Sequence, residues 1–370
     1  MSGFDDVEAN DDLAIIGHRL LAWYERHRRD LPWRHDQNPY AIWVAEIMLQ
    51  QTRVETVIAY YQRFLQRFPT LEALAKAPLD DVLKAWEGLG YYARARNLHR
   101  AARWVVQEMN GRLPARSEDL SRLPGVGQYT ASAIASIAFG QDAVALDGNL
   151  RRVLCRLFGI DDDPGRTNTQ RRLTELAEAM LPSGQAGDFN QALMDLGAMI
   201  CTPTTPQCLL CPLLGSCRSQ QEGIQNELPI RATRGHRPHR DVTAGVIWDD
   251  NDHVLITRRP LDGLLGGLWE FPGGKRRPGE ALPACLHREI SEELAIQIQV
   301  GELLVTIEHV FTHFFMTLYA FDCRWLSGSP KCLGCLDLQW VTLDELDAYA
   351  FGVADQKIIS FLRSDSPSHI

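Results

Sequence analysis

Hydrophobic and polar positions follow two different spacings along the 370-residue chain. In the first part, apolar residues recur at helical spacing, as in the amphipathic stretch 13–29. In the last third, short runs rich in β-branched residues, such as 242–248, predict strands. The stretch 219–238 is polar and rich in glycine, proline and arginine, which is typical of a linker. We therefore expect a mostly helical domain over residues 1–218 and an α+β domain over residues 239–366.

One predicted helix, residues 40–52, is apolar on almost every side and contains a single acid, Glu46. A carboxyl group among Trp43, Ile47 and Met48 should lose its hydration, which raises its pKa toward neutrality. An acid that keeps its proton near pH 7 can donate it to a leaving group. The alternative is a buried glutamate neutralised by an arginine, and spacing alone favours that alternative.

A glycine-rich turn, Leu123-Pro-Gly-Val-Gly-Gln128, precedes a helix of small residues that ends at Gly140. Gly125 and Gly127 would let another group approach the backbone closely. The first N–H groups of the following helix have no intrahelical partner and favour an anion such as phosphate. An ordinary interhelical turn would show the same two glycines.

Asp147 stands before the next predicted helix, in the sequence Asp147-Gly148-Asn149. This position is typical of an N-cap, and the helix N–H groups should keep the carboxylate ionised with a low pKa. A neutral Glu46 and a charged Asp147 would form the pair of carboxyl groups that glycosyl-bond cleavage uses. Asp147 could also be an N-cap and nothing more.

Four of the nine cysteines are crowded into residues 201–217, at uneven spacing. Four thiolates in so short a segment can hold a 4Fe–4S cluster or a zinc ion, and zinc is the commoner outcome. The ligands would be Cys201, Cys208, Cys211 and Cys217.

Composition adds few constraints to this interpretation. The chain is 45% hydrophobic, so both domains can bury a core, and it has no run of about 18 apolar residues. Its acidic start lacks the pattern of a signal peptide, and we expect a cytoplasmic protein. The net charge of −9 divides into −2 for residues 1–220 and −7 for residues 221–370. Global charge therefore neither supports nor excludes a nucleic-acid partner, because local patches decide phosphate binding.

The motifs together resemble the helix-hairpin-helix DNA glycosylases. Leu-Pro-Gly-Val-Gly is followed by Tyr-Thr-Ala and Leu-Asp-Gly-Asn, and Trp43–Thr52 matches the segment that carries the catalytic glutamate of MutY-type adenine DNA glycosylases. Endonuclease III-type members that also cut the strand carry a Schiff-base lysine where this chain has Tyr129. The resemblance implies that Glu46 is the general acid and that Asp147 stabilises or captures the cationic sugar. It gives Tyr129 and Asn149 supporting roles.

The same resemblance implies a DNA surface and a cofactor. A flipped nucleotide would be replaced in the base stack by inserted side chains, and the cysteine spacing resembles the loop that binds a 4Fe–4S cluster. The DNA contacts of the helical part would be Gln51, Thr52, Leu89, Tyr91, Gly125, Val126 and Gly127.

The C-terminal part resembles a Nudix domain. Gly274-x5-Glu280-x7-Arg288-Glu-Ile-x-Glu-Glu follows the Nudix box, except that Ala295 stands where the family has glycine. A face formed by Glu289, Glu292 and Glu293 could bind Mg²⁺. MutY-type proteins use such a domain to read 8-oxoguanine opposite the adenine. Phe311-Thr312-His313 resembles their recognition loop, which implies lesion contacts from Thr312 and His313.

The resemblance implies a multidomain fold: a mostly α helix-hairpin-helix glycosylase domain with a 4Fe–4S loop, and an α+β Nudix-like domain. The implied activity is removal of adenine mispaired with 8-oxoguanine, or with guanine, in duplex DNA. We expect a monomer without a membrane partner, associated with the nucleoid of a bacterium. Two alternatives remain: a bifunctional glycosylase/lyase, which borohydride trapping would reveal, and a nucleotide-pool hydrolase, which would consume free oxidised nucleotides.

Overall fold

The computed structural model describes residues 8–230 and 237–364. Two compact units share these residues: a helical unit from residues 8–75 and 100–230, and a mixed α/β unit from residues 76–99 and 237–364. The predicted linker residues 231–236 and the predicted domain end at 365–366 lie outside the described residues.

The helical unit contains the amphipathic and apolar stretches that the sequence indicates. Its helices are α1 (Glu8–His27), α2 (Pro39–Leu49), α3 (Val54–Arg67), α4 (Leu71–Lys76), the second half of α6 (Ala93–Glu108), α7 (Ser117–Leu120), α8 (Gln128–Phe139), α9 (Gly148–Phe158), α10 (Thr167–Met180), α11 (Ala186–Met199) and α12 (Arg218–Gln221). Short 3-10 helices lie at Pro32–Arg34, Cys208–Leu210 and Leu214–Ser216.

Helix α2 lies in the centre of its unit because it is apolar on every side. Asn38 caps its first turn by accepting hydrogen bonds from the N–H groups of Tyr40 and Ala41, and Pro39 is its first residue. All its residues from Tyr40 to Met48 are buried. The small residues of α8 leave room for α2 to pack against them. Glu46 is therefore held by a rigid element inside the protein.

A hydrophobic core joins α1, α9, α10 and α11. Both α8 and α9 end at a glycine in the left-handed region, Gly140 at φ +65° and Gly159 at φ +61°. Glycine adopts this conformation without a Cβ penalty, so it ends both helices.

The mixed unit is built on a six-stranded sheet with helices on both faces. Its strands are β1 (His239–Trp248), β2 (Val254–Arg258), β3 (Trp269–Glu270), β4 (Gln297–Val310), β5 (Phe315–Ser327) and β6 (Asp337–Val341). They follow the order β3-β2-β1-β5-β4, and β6 pairs with β2; the β1–β5 pair is parallel and the other pairs are antiparallel. The helices are α5 (Leu79–Ala85), the start of α6, α13 (Leu282–Leu294) and α14 (Val353–Ser364), and a 3-10 helix lies at Glu345–Ala348.

Alternation along the strands gives the sheet two apolar faces, as the period of two requires. One face packs around Val246, Ile256 and helix α14, and the other around Ile247, Leu255 and helix α13. The sequence did not predict that residues 76–99 belong with this sheet. One contact within this unit is the hydrogen bond of 2.8 Å that the Glu87 carboxylate accepts from the Phe351 N–H.

Candidate active site

Four predicted site residues meet in one open pocket of the helical unit. Glu46 comes from α2, Tyr129 from the first turn of α8, and Asp147 and Asn149 from the start of α9. The pocket has a volume of about 160 Å³ and is partly open to solvent. Glu46 therefore faces a common space with side chains that lie 83 to 103 positions later in the sequence.

Glu46 forms the buried acid of this pocket, with 4% of its surface exposed. Burial raises its pKa from 4.5 to about 7, and the neighbouring Asp147 adds to the rise. The Tyr129 hydroxyl donates a hydrogen bond to Oε2 of Glu46 at 3.3 Å, which partly opposes the rise. This confirms the expectation that the apolar surroundings of Glu46 raise its pKa toward neutrality.

Asp147 caps α9 as predicted, but its predicted low pKa is wrong. Its Oδ1 accepts the Leu150 N–H at 2.6 Å, and its Oδ2 accepts Nδ2 of Asn149 at 3.0 Å. Desolvation nevertheless outweighs these hydrogen bonds and the nearby Arg152, so the pKa of Asp147 is raised above 3.8. The two carboxyl groups still differ, because several N–H donors stabilise the charge on Asp147 and one hydroxyl stabilises charge on Glu46.

Arg152, on α9, is a supporting residue that the sequence analysis missed. It donates to Oδ1 of Asn149 (3.0 Å), to the Gly197 carbonyl (2.7 Å) and to the Cys201 carbonyl (2.8 Å). Asn149 is thereby fixed with its amide toward Asp147. An arginine one turn after an N-cap aspartate was the only sequence signal for this role.

A second missed group forms one wall of the pocket. Asp195 of α11 is completely buried and pairs with Arg29 (2.7 Å) and with Arg34 (2.8 Å). Both arginines line the pocket. The two charge-assisted contacts hold the segment between α1 and α2 against α11, and they leave positive charge at the rim.

The glycine turn Gly125–Gly127 between α7 and α8, called the clamp below, has open space beside its last residue. Gly125 lies in the left-handed region at φ +79°, which favours glycine. Gly127 is the N-cap of α8, and a Cβ at this position would meet no heavy atom within 4 Å. The Val126 side chain is buried, and the Val126 N–H donates to the Leu123 carbonyl at 3.1 Å.

The other predicted DNA contacts divide into exposed and buried residues. Gln51, after α2, and Tyr91, before α6, are exposed and have positive φ angles of +58° and +49°. Such angles are uncommon for residues with side chains and concentrate at functional sites. Thr52 lines the pocket. Leu89 is only 5% exposed, so its predicted contact with bases gains no support.

Two predicted contacts of the mixed unit meet each other. Thr312 and His313 are exposed in the turn between β4 and β5. The Thr312 and Tyr91 hydroxyl groups share a hydrogen bond of 2.7 Å. The structure thus brings together, at one surface, two residues that are 221 positions apart in the chain.

The four clustered cysteines line a common cavity of about 30 Å³ in the helical unit, together with Arg156. All four are free thiols. Among residues 8–230 and 237–364, no three His, Cys, Asp or Glu side chains are arranged so that they could hold a metal ion. The Cys201, Cys208, Cys211 and Cys217 set is predicted from sequence and is brought together here.

The predicted magnesium face of α13 is occupied by arginine. Arg288 contacts Glu280 (2.7 Å), Glu289 (2.7 Å) and Glu292 (3.2 Å). Burial raises the pKa of Glu293, which favours its neutral form. None of the described acids forms a metal-holding group, so the magnesium prediction is not supported.

Known protein families match both the helical part and the mixed part of the chain. Residues 44–179 match the family of HhH-GPD superfamily base excision DNA repair proteins, and residues 243–361 match the NUDIX domain. The adenine DNA glycosylase of Homo sapiens is 36% identical, over 94% of this chain and 74% of its own length. That of Mus musculus is 37% identical, over 96% and 78%. The chain belongs to the adenine DNA glycosylases.

Solved structures share the fold of the helical part. A thermostable thymine-DNA glycosylase is 34% identical, with a TM-score of 0.54, over 58% of this chain and 99% of its own. Endonuclease III in a non-covalent DNA complex shares the fold, with 22% identity, a TM-score of 0.50, and coverage of 58% and 98%. Its membership of the adenine DNA glycosylases makes the protein a DNA glycosylase, which hydrolyses N-glycosidic bonds. None of its described helices is long and apolar enough to span a bilayer.

Proposed function

We propose that this glycosylase removes adenine mispaired with 8-oxoguanine, or with guanine, from duplex DNA, and that it leaves the strand uncut. The observation that carries the proposal is the pairing of Glu46 and Asp147 in one pocket. One carboxyl group is buried with a pKa of about 7, and the other is surrounded by N–H donors. Glycosyl-bond cleavage needs an acid and an anion in these roles.

Glu46 is the proton donor in this mechanism. With a pKa of about 7, it holds a proton in a large share of molecules at neutral pH. The bond between adenine and C1′ breaks, its electron pair moves to the base, and Glu46 delivers a proton to a ring nitrogen of the departing adenine. The Tyr129 hydroxyl stabilises the Glu46 carboxylate that remains, through the 3.3 Å hydrogen bond.

Asp147 stabilises the positive charge that develops on the deoxyribose, or captures C1′ until water replaces it. Asn149 and Arg152 keep the Asp147 carboxylate oriented. No lysine stands at position 129, so the pocket offers no amine at this position for a Schiff base, and base release should not be accompanied by strand cleavage.

Replacement of Asp147 by asparagine tests the mechanism. The amide has nearly the same size but cannot offset a sugar cation, so base release under single-turnover conditions should fall by at least about a hundredfold. DNA affinity, measured by fluorescence anisotropy with an adenine:8-oxoguanine duplex, should stay within about threefold. Asp162→Asn, at an exposed aspartate after α9, is the matched control. Wild-type turnover in the Asp147 variant would refute the assignment.

We propose that the DNA backbone binds at the clamp of Gly125, Val126 and Gly127, and that Gln51 fills the stack after the adenine flips out. The clamp leaves open space beside Gly127 at the start of α8, where N–H groups favour phosphate. Gln51 is exposed on a strained turn next to Thr52, which lines the pocket. An inserted side chain offsets part of the cost of unstacking.

We propose that the opposite base is read by Thr312, with Tyr91 and His313. The exposed pair of hydroxyl groups offers donors and acceptors for an oxidised purine, and the exposed aromatic ring of Tyr91 offers a stacking surface. Thr312→Val should reduce the preference for 8-oxoguanine over guanine opposite adenine. Thr306→Val, at an exposed position of β4, is the control. An unchanged preference in the Thr312 variant would contradict this role.

We propose that the cysteine cavity holds a 4Fe–4S cluster. Four thiols and the buried Arg156 line this one cavity, and cysteine thiolates are the ligands of such clusters. Cys201, Cys208, Cys211 and Cys217 would hold the cluster. When bound, it supplies the cross-link that keeps residues 201–217 folded.

A further inference from the structure

A buried arginine beside the cysteine cavity has no part in the mechanism above. Arg156 lies on α9 and is only 2% exposed. Its Nε donates to the Leu228 carbonyl (2.8 Å), its Nη1 to the Thr202 carbonyl (2.6 Å), and its Nη2 to the Pro203 carbonyl (3.2 Å). Every nitrogen of the guanidinium group is used.

The remaining contact of Arg156 is with sulfur. Its Nη1 lies 3.4 Å from Sγ of Cys201, and the Arg156 carbonyl accepts a hydrogen bond from the Cys217 thiol at 3.5 Å. Arg156 also lines the cavity with all four cysteines. Its main chain and its side chain thus both contact predicted cluster ligands.

Among the described residues, the charge of Arg156 lacks a carboxylate counter-ion. Among the residues that the structure describes, no Asp or Glu side chain forms an ion pair with it, whereas Arg29 and Arg34 pair with the buried Asp195. A buried cation with only carbonyl partners is unfavourable, because carbonyl dipoles replace only part of its hydration. Thiolate ligands would supply the missing negative charge, since a 4Fe–4S cluster with four cysteines is a net anion.

We propose that Arg156 is the positioning residue and the buried counter-charge of the metal centre. This inference rests on the proposed cluster. Arg156 holds Cys201 as a ligand through the N–H···S contact, and its positive charge favours the more reduced, more negative cluster. Its hydrogen bonds to the carbonyl groups of Thr202, Pro203 and Leu228 also connect α9 to the start of the segment with the four cysteines, residues 201–217, and to the residues that follow that segment. The free energy of cluster binding therefore stabilises the fold of residues 201–228.

Two substitutions in the full-length protein separate charge from packing. Arg156→Met removes the charge and retains much of the volume, and Arg156→Lys retains the charge but loses most of the hydrogen bonds. Arg171→Met, at an exposed arginine of α10 paired with Glu175, is the matched control. After anaerobic reconstitution, iron and labile sulfide per chain, the rate of iron release to a chelator, and the midpoint potential by protein-film voltammetry are measured.

We expect Arg156→Met to release iron at least about tenfold faster than the wild type, as is common when a group contacting a metal ligand is lost, and to show a lower midpoint potential. Arg156→Lys should also release iron faster while its potential stays close to that of the wild type. The Arg171 control should match the wild type in every measurement.

The outcomes distinguish a failure of this inference from a failure of the proposed cluster. A wild-type chain that binds no iron after reconstitution would overturn the cluster, and this inference with it. A loaded wild type together with an unchanged potential in Arg156→Met would overturn the role of Arg156 and leave the cluster in place. If Arg156→Met does not fold, an iron release rate in Arg156→Lys equal to that of the wild type would overturn the inference equally.

Discussion

Replacement of Glu46 by glutamine should abolish base release and, at alkaline pH, stabilise the fold. The folded protein binds the Glu46 proton with a pKa of about 7, compared with an ordinary value of 4.5. Each pKa unit corresponds to about 1.4 kcal/mol, so the ionised, buried carboxylate lowers the free energy of unfolding by about 3 kcal/mol above pH 7. Glutamine is neutral at every pH and avoids this cost.

The sign of the effect follows from proton binding. Below pH 4.5 Glu46 is protonated in both the folded and the unfolded chain, and it contributes no pH dependence. Between pH 4.5 and about 7 the folded chain keeps a proton that the unfolded chain has lost, so stability falls as pH rises. Above pH 7 Glu46 is ionised in both the folded and the unfolded chain, and it lowers the stability no further. The stability of Glu46→Gln relative to the wild type should therefore increase by about 3 kcal/mol between pH 4.5 and pH 8.5.

Urea denaturation of both proteins at the two pH values, followed by tryptophan fluorescence, measures this difference. Comparing the two pH values cancels packing effects of the substitution that do not depend on pH. Glu55→Gln, at an exposed glutamate of α3, is the control and should show no such difference. If the free energy of unfolding of Glu46→Gln exceeded that of the wild type by the same amount at both pH values, the conclusion that Glu46 is a desolvated acid would be refuted. Wild-type kcat/KM should also fall above pH 7, by up to tenfold per pH unit.

Three further substitutions test individual contacts. Tyr129→Phe removes the hydrogen bond to the Glu46 carboxylate, so the pKa of Glu46 should rise and the alkaline limb of the pH–rate profile should move to higher pH. Gly127→Ala should leave the free energy of unfolding within about 0.5 kcal/mol, because its Cβ meets open space, yet weaken DNA binding in an anisotropy titration. Ala295→Gly should stabilise the fold by about 1 kcal/mol in urea denaturation, because Ala295 ends α13 at φ +55°; a loss of stability would contradict this account.

Local sequence features determined the ends of the helices that carry the candidate catalytic pair, Glu46 and Asp147. Asn38-Pro39 fixed the start of α2, Gly140 fixed the end of α8, and Asp147 fixed the start of α9. These features act within one helical turn, through side-chain caps and allowed φ angles, so neighbouring residues suffice to predict them. The uninterrupted apolar surface around Glu46 likewise sufficed to predict its raised pKa, because a helix that is apolar on all sides must be buried.

Tertiary structure decided what depends on distant parts of the chain. The pKa of Asp147 rises because surrounding elements exclude water, and that effect outweighs the local cap. The α13 acids are neutralised by Arg288, Leu89 is buried, and residues 76–99 join the sheet unit. Desolvation and ion pairing sum over every atom that surrounds a group. Motifs in the sequence therefore sufficed to name the candidate residues, and the packing of remote segments set their charge and exposure.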